Sequence, residues 1–344
     1  MHLPRIVPAI FWAGAIAVTP PVVATEVRFV TNEFIFTEAP FQQCHAPTLA
    51  ETSGGELVAA WFGGAHEKSP DTAIWLSRRE TGNWTAPREV ANGIMPRGER
   101  LPVWNPVLFQ PRAGPLLLFY KVGPDPSRWW GMWMASEDGG RRWTTAQRLT
   151  DGIVGPSKNK PVELSDATIL SPSSSEGSGW KLFIERSTDH GQHWQSIGPL
   201  AGAVDYQAIQ PALLVWSPRR VQLLARSRQN GIVQSVSMDG GQSWSQLTAT
   251  DLANPNSGID AQVLRDGRAL LVYNPTRWRR TPLRVAMSSD GQHWRDALTL
   301  AEGWGEYSYP SIIQSVDGLV HVVYTWKRER IRHVVLDPGA VGGP

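Results

Sequence analysis

The 344-residue chain has almost no cysteine; Cys44 stands alone. One thiol excludes an internal disulfide, so the fold must rest on its apolar core. Strong charge of either sign is also missing. A net charge of +2 gives no clustered basic excess, and nucleic acid is not expected as a partner. Long hydrophobic runs are scarce. Ile6 to Val18 is the longest mainly apolar stretch, and it is too short to span a bilayer. Arg5 precedes it, Pro20-Pro21 follows, and Val22-Val-Ala24 offers small residues for cleavage. Residues 1–24 therefore read as a signal peptide cut near Ala24, which predicts a periplasmic or secreted protein. The eight histidines are scattered, with no pair spaced on one strand face beside a carboxylate, so no metal site is expected. No phosphate-cradling glycine loop and no Ser-His-Asp order is visible, and no cofactor is expected.

Tryptophan, by contrast, is abundant, at 17 residues. Four of these close copies of one pattern: Ser136 to Trp143, Ser187 to Trp194, Ser237 to Trp244 and, one residue shorter, Ser288 to Trp294. Each carries Asp two residues after the Ser, then Gly, then Trp. A degenerate copy, Ser77 to Trp84, has Arg79 where Asp should stand. The Ser positions step by 59, 51, 50 and 51 residues. A period of that size signals propeller blades. Asp and Gly shape a tight turn between strands, and Trp plugs neighbouring sheets. His190 and His193 fall within such a turn and read as solvated residues.

A second repeat agrees. Short strands open with a proline near their start at Pro47, Pro106, Pro161, Pro211 and Pro310, and Ser257 to Ala261 fills the remaining place without one. Proline is tolerated at a strand's first residues, where the ladder need not be fed. β-Rich runs follow at Glu56–Trp61, Pro115–Lys121, Ala167–Ser171, Arg220–Ala225, Ala269–Tyr273 and Gly318–Trp326. The last unit lacks a closing box, so its fourth strand is expected from Val27–Phe36. The expected fold is all-β: a six-bladed β-propeller of four-stranded antiparallel blades, one domain over residues 25–344, with no long helix.

Aspartate boxes between six such units resemble the sialidase (neuraminidase-like) superfamily, from about Val27 to Asp337. That resemblance implies an exo-acting glycoside hydrolase for a terminal acidic sugar. It implies a carboxylate held by arginines, with Arg226 or Arg228 and Arg280 at matching places. Tyr309 matches the family's nucleophile. Glu67 and Asp71 are alternatives for its acid/base, with Glu67 preferred because Asp71 opens a strand and can cap the turn. Two places depart from the family. His45 stands where its first arginine would be, and Gln210 where its tyrosine-activating Glu would be. A phenol ionises near pH 10, so the missing base matters. A His45/Tyr309 pair beside arginines also suits β-elimination from a uronate. A non-catalytic glycan-binding propeller is the third reading.

Starts of the opening strands converge on one mouth, where polar side chains have no evident structural reason to be polar. His45, Asn105, Asn159, Lys160, Gln210, Asp260 and Tyr309 are expected there. Lys121, Trp130, Lys158, Asn256, Glu306 and Arg328 are expected on loops beside them. The basic excess fits an anionic sugar, Trp130 offers a flat face for a sugar ring, and Glu306 is a carboxylate near Tyr309.

Overall fold

The computed structural model describes residues 26–339. The expected signal peptide lies outside the described residues. Six antiparallel sheets form a six-bladed β-propeller. The first blade contains Gln43–Glu51, Leu57–Gly64 and Ala73–Glu80, with its outer strand split into Asn83–Trp84 and Arg88–Asn92. Val103–Phe109, Leu116–Val122, Trp130–Ser136 and Gln147–Arg148 make the second. The third holds Val162–Glu163, Ile169–Ser175, Lys181–Ser187 and Gln195–Ile197. Ala208–Val215, Val221–Ser227, Gly231–Ser237 and Thr248–Ala253 make the fourth, and Asp260–Val263, Ala269–Tyr273, Leu283–Ser288 and Arg295–Ala301 the fifth. The sixth joins Tyr307–Gln314, Val320–Trp326 and Arg330–Asp337 to Arg28–Phe34 from the other end of the chain. That closing strand is the one expected from Val27–Phe36, and it leaves the ring without an open seam. Among the described residues, no helix is long and apolar enough to cross a membrane.

The core is a set of wedges, one between each pair of neighbouring blades. The box tryptophans lie in these wedges, as their chemistry implied: Trp143 between blades one and two, Trp194 between two and three, Trp244 between three and four, Trp294 between four and five. The boxes share one hydrogen-bond plan. Ser136 Oγ donates to Asp138 Oδ1 at 2.9 Å and accepts from Gly140 N at 2.8 Å. Ser187, Ser237 and Ser288 do the same for their own Asp and Gly. His193 is exposed and bonds Asp189 at 2.6 Å within its turn.

Alternation of strand direction puts the boxes at one end of the ring. The hairpins joining second to third strands lie at the other, around the starts of the innermost strands. Four of those innermost strands share a distortion. Ala46, Asn105, Gln210 and Tyr309 have φ of 50°, 41°, 56° and 53°, and each directly precedes a proline. Proline bars its predecessor from the right-handed helical region, and a bulge in the pairing follows in all four strands. The third blade departs from the pattern. Only Val162–Glu163 is regular there, and Lys158 to Lys160 form an irregular segment instead of an opening strand.

Candidate active site

Most polar groups at the strand starts turn out to hold the blades together. Lys158 Nζ donates to Asn159 Oδ1 at 2.8 Å, to Ile259 O at 3.0 Å and to Pro310 O, tying blades three, five and six at the axis. Burial pulls this ammonium down to about 7. Asn159 Nδ2 bonds Gln210 O and Pro211 O, Asn105 Nδ2 bonds Ser157 O, and Asp260 Oδ2 accepts from Ile312 N. The expectation that polarity there has no structural use is therefore corrected for these residues. An axis where six strands meet leaves backbone groups that only side chains can satisfy.

Tyr309, His45 and Gln210 are the exceptions. The His45 ring lies 4.2 Å from the Tyr309 ring, centroid to centroid, and both its nitrogens are buried without a partner. Gln210 Oε1 is likewise unpaired. Burial, followed by the charges of Arg328, Arg280, Arg226 and Lys158, holds the His45 pKa well below its ordinary value. The imidazole is therefore neutral at physiological pH, with one nitrogen free to donate and one to accept. An unsatisfied buried polar group costs roughly 1–3 kcal/mol, so such a cluster is kept for a ligand more readily than for the fold.

Three arginines from three blades surround this pair. Arg226 and Arg280 each place their guanidinium 5.4 Å from the Tyr309 ring centroid. Arg226 donates to Asn256 O at 2.9 Å and leaves Nε unpaired. Arg328 donates from Nη1 to Glu67 at 2.6 Å and from Nε to Glu306 at 3.0 Å. Glu306 also accepts from Arg280 at 2.8 Å and from Ser308 at 2.6 Å. Burial works to raise Glu306, but the two guanidinium charges and Ser308 outweigh it and hold the carboxyl low. The third and fourth blades add Trp180, which carries Arg226 at 5.2 Å and Arg228 at 4.4 Å. Alternation along Val221–Ser227 and beyond had put Arg226 and Arg228 on one face, and both reach the same ring.

Gly258 closes the floor. A Cβ there would meet the Tyr309 ring at 3.1–3.3 Å, tighter than normal contact. Gly258→Ala is expected to push the Tyr309 ring away from Gly258 and change its packing on His45 with little change in thermal unfolding; a crystal structure of the variant beside a melting curve checks it.

A family model for the BNR repeat-like domain (BNR_2) matches residues 55–322. The chain belongs to the BNR repeat-like domain family. A search of curated protein sequences returns no match for this BNR repeat-like protein. Among solved structures it is similar to a protein of unknown function from Dyadobacter fermentans, at TM-score 0.74 and 18% identity, covering 91% of this chain and 99% of that one. It is also similar to a mutant of NanB sialidase from Streptococcus pneumoniae, at TM-score 0.70 and 13% identity, over 86% of this chain and 68% of that one. A third is Trypanosoma rangeli sialidase complexed with the inhibitor DANA, at TM-score 0.67 and 15% identity, over 87% of this chain and 56% of that one. At these identities the likeness is one of fold, and the superfamily resemblance read from the boxes holds at that level.

Five residues of the BNR repeat-like protein expected at the mouth are engaged elsewhere. Lys121 is buried and donates to Pro156 O at 2.9 Å, near Glu185, at the contact of blades two and three. Trp130 faces a groove between blades one and two with Met132, Met134 and Trp143, under Arg148 at 5.3 Å. Lys160 bonds Asp260 at 3.0 Å and borders the groove at the opposite end of the axis with Gln110, Gln262 and Gln314. Asn105 is held by Ser157, as above. Asp71 accepts from Ala65 N through both oxygens, at 3.2 and 3.0 Å, and its contact with Ser69 leads the causes holding it low. It caps the turn that presents Glu67. One further carboxyl and its aromatic neighbour, Glu176 and Trp180, were not singled out from sequence.

Proposed function

We propose that this protein is an exo-acting glycan-cleaving enzyme that removes a terminal acidic sugar by hydrolysis. The observation that carries the reading is the convergence of Arg226, Arg280 and Arg328 around a ring pair, Tyr309 and His45, in which neither His45 nitrogen has a partner in the fold. Guanidinium forks match a carboxylate in charge and shape. Arg226 and Arg280 take the sugar carboxylate, with Arg228 beside them on Trp180. Tyr309 then lies against the anomeric centre, where positive charge develops as the glycosidic bond lengthens. His45 and Gln210 offer the ring hydroxyls one donor and two acceptors. Glu67 and Glu306 keep Arg328 and Arg280 in place.

A second reading, elimination from a uronate linkage, is favoured by one feature: the neutral, unpaired His45 packed on Tyr309. There an arginine neutralises the carboxylate, one ring abstracts the proton beside it and the other serves the leaving oxygen.

Incubating the purified protein with sialylated and uronate-containing glycans separates these. Release of the terminal acidic sugar without new ultraviolet absorbance, lost in Tyr309→Phe, is the expected result. Absorbance from a new C=C bond, lost in His45→Ala, would establish elimination. Binding with neither product would leave a glycan-binding propeller and overturn both.

A further inference from the structure

Hydrolysis needs a group that hands a proton to the departing oxygen, and among the described residues the mouth holds one carboxyl committed neither to an arginine nor to its own turn. Glu176 follows the strand Ile169–Ser175 at the hairpin of blade three. That hairpin is braced. Trp180 N donates to Gln207 Oε1 at 3.0 Å, and Gly177 lies so close to blade two that a Cβ would stand 3.1 Å from Ser127 O. Glu176 faces Arg226 and Arg228 from blade four, Trp180 from its own hairpin, and Glu67 from blade one.

We propose that Glu176 is the proton donor to the glycosidic oxygen, an inference that rests on the cleavage reading above. The other carboxyls at the mouth are committed. Glu67 is paired with Arg328, Glu306 with Arg280 and Arg328, and Asp71 with its own turn. Among the described residues Glu176 forms no ion pair. Arg226 touches both the Tyr309 ring and the Trp180 ring. A sugar carboxylate on Arg226 therefore brings the bond to be broken near both Tyr309 and Glu176. Burial, with the charge of Glu67, lifts the affinity of Glu176 for its proton against the pull of Arg226, Trp180 and Arg228. Two carboxyls with opposed surroundings in one mouth are what acid catalysis at neutral pH requires. As the bond from the anomeric carbon breaks, its electron pair stays on the glycosidic oxygen, which takes the Glu176 proton. Water then gives its hydroxyl to the anomeric carbon and its proton back to Glu176.

The test compares wild type with Glu176→Gln on two substrates sharing one acidic sugar. One has a sugar alcohol as leaving group, which needs the proton; the other has nitrophenolate, which leaves without it. The expected result is a loss of about 10²- to 10⁴-fold on the first, a much smaller loss on the second, and loss of the alkaline limb of the pH–rate profile. Equal losses on both substrates, or no loss on either, would overturn the donor role while leaving the cleavage reading standing. A folded wild type that cleaves neither substrate would remove the cleavage reading and the donor role with it. A melting curve for Glu176→Gln distinguishes lost chemistry from lost fold.

Discussion

Replacing Arg226 with methionine is expected to lower kcat/KM on an acidic glycan by roughly 10²- to 10³-fold, the loss that follows from truncating one partner of a desolvated charge pair. Arg226 is 5% exposed, so its charge meets little solvent before a ligand arrives. Burial lowers its pKa, but a guanidinium still stays protonated at any pH the protein meets. The strength of its contact with a carboxylate therefore comes from the dry surroundings and from Nε, which has no partner in the fold. Methionine fills much of the space of the arginine stem and removes a buried charge, so thermal unfolding should shift little. Arg226→Lys should recover only part of the loss, because an ammonium cannot grip both carboxylate oxygens in the same plane. The deciding measurement sets each free acid against its methyl ester. Wild type should discriminate strongly for the acid, and Arg226→Met should discriminate weakly. Equal loss on acid and ester would mean that Arg226 does not hold the carboxylate.

Acid is expected to loosen the ring at the closing blade, by about 3 kcal/mol between neutral pH and pH 4. Glu33, on the closing strand, bonds His333 at 3.0 Å and accepts from Trp84 Nε1 at 3.2 Å. His333 bonds His321 at 3.0 Å, their rings stacked 5.3 Å apart, and His321 bonds Ser315 at 3.0 Å. Arg79 and Asp317 are the other charges facing the pair. Burial, then the neighbouring His333, pulls His321 down to about 4, and burial outweighs Glu33 to lower His333. Rings kept neutral in the fold gain a proton more readily once unfolded. Their contribution is complete above about pH 6.5 and is lost as pH falls toward 4. Glu33 is held low, chiefly by its bond to His333, so its contribution stands above the ordinary carboxyl range and fades as pH falls below it. The slopes have the same sign. His321→Gln should flatten the dependence: its melting temperature should fall less than wild type's between pH 7 and 4.5. Parallel curves would place the acid sensitivity elsewhere.

Much of this architecture was legible in the sequence, because the turns and wedges are built by short-range chemistry that repeats. Ser, Asp, Gly and Trp at fixed spacing make the same bonds in each box, and Val27–Phe36 was left over only if it closed the ring. The positions of Tyr309 and His45 were legible too, since each lies at the start of an innermost strand; Arg226 or Arg228 and Arg280 came from the resemblance, and the structure brings Arg226 and Arg280 against the Tyr309 ring. The misplacements share a cause. Lys121, Lys160 and Asn105 were counted as mouth residues on polarity alone, yet the axis has its own unsatisfied carbonyls and amides to serve. Trp130 was read as a stacking face, but its strand turns it into an inter-blade groove. Glu176 was missed because the strand ahead of it, Ser-Pro-Ser-Ser-Ser, resembles a loop, and the expected end at Ser171 came four residues early. The signal was its place in the repeat, since the same hairpin carries Glu67 in blade one, Arg228 in four, Arg280 in five and Arg328 in six.

The closing strand has a consequence for the order in which this protein can be made. Arg28–Phe34 pairs with Arg330–Asp337, about 300 positions later in the chain. A ribosome releases the first long before the second exists. Through most of synthesis Glu33 and Trp84 wait for His333, and the first blade's wedge with the sixth stays open to water. Blades one to five can assemble as neighbours while the chain emerges, but the ring, and with it the mouth whose Arg328 and Tyr309 belong to the last blade, is completed only once Arg330–Asp337 has emerged.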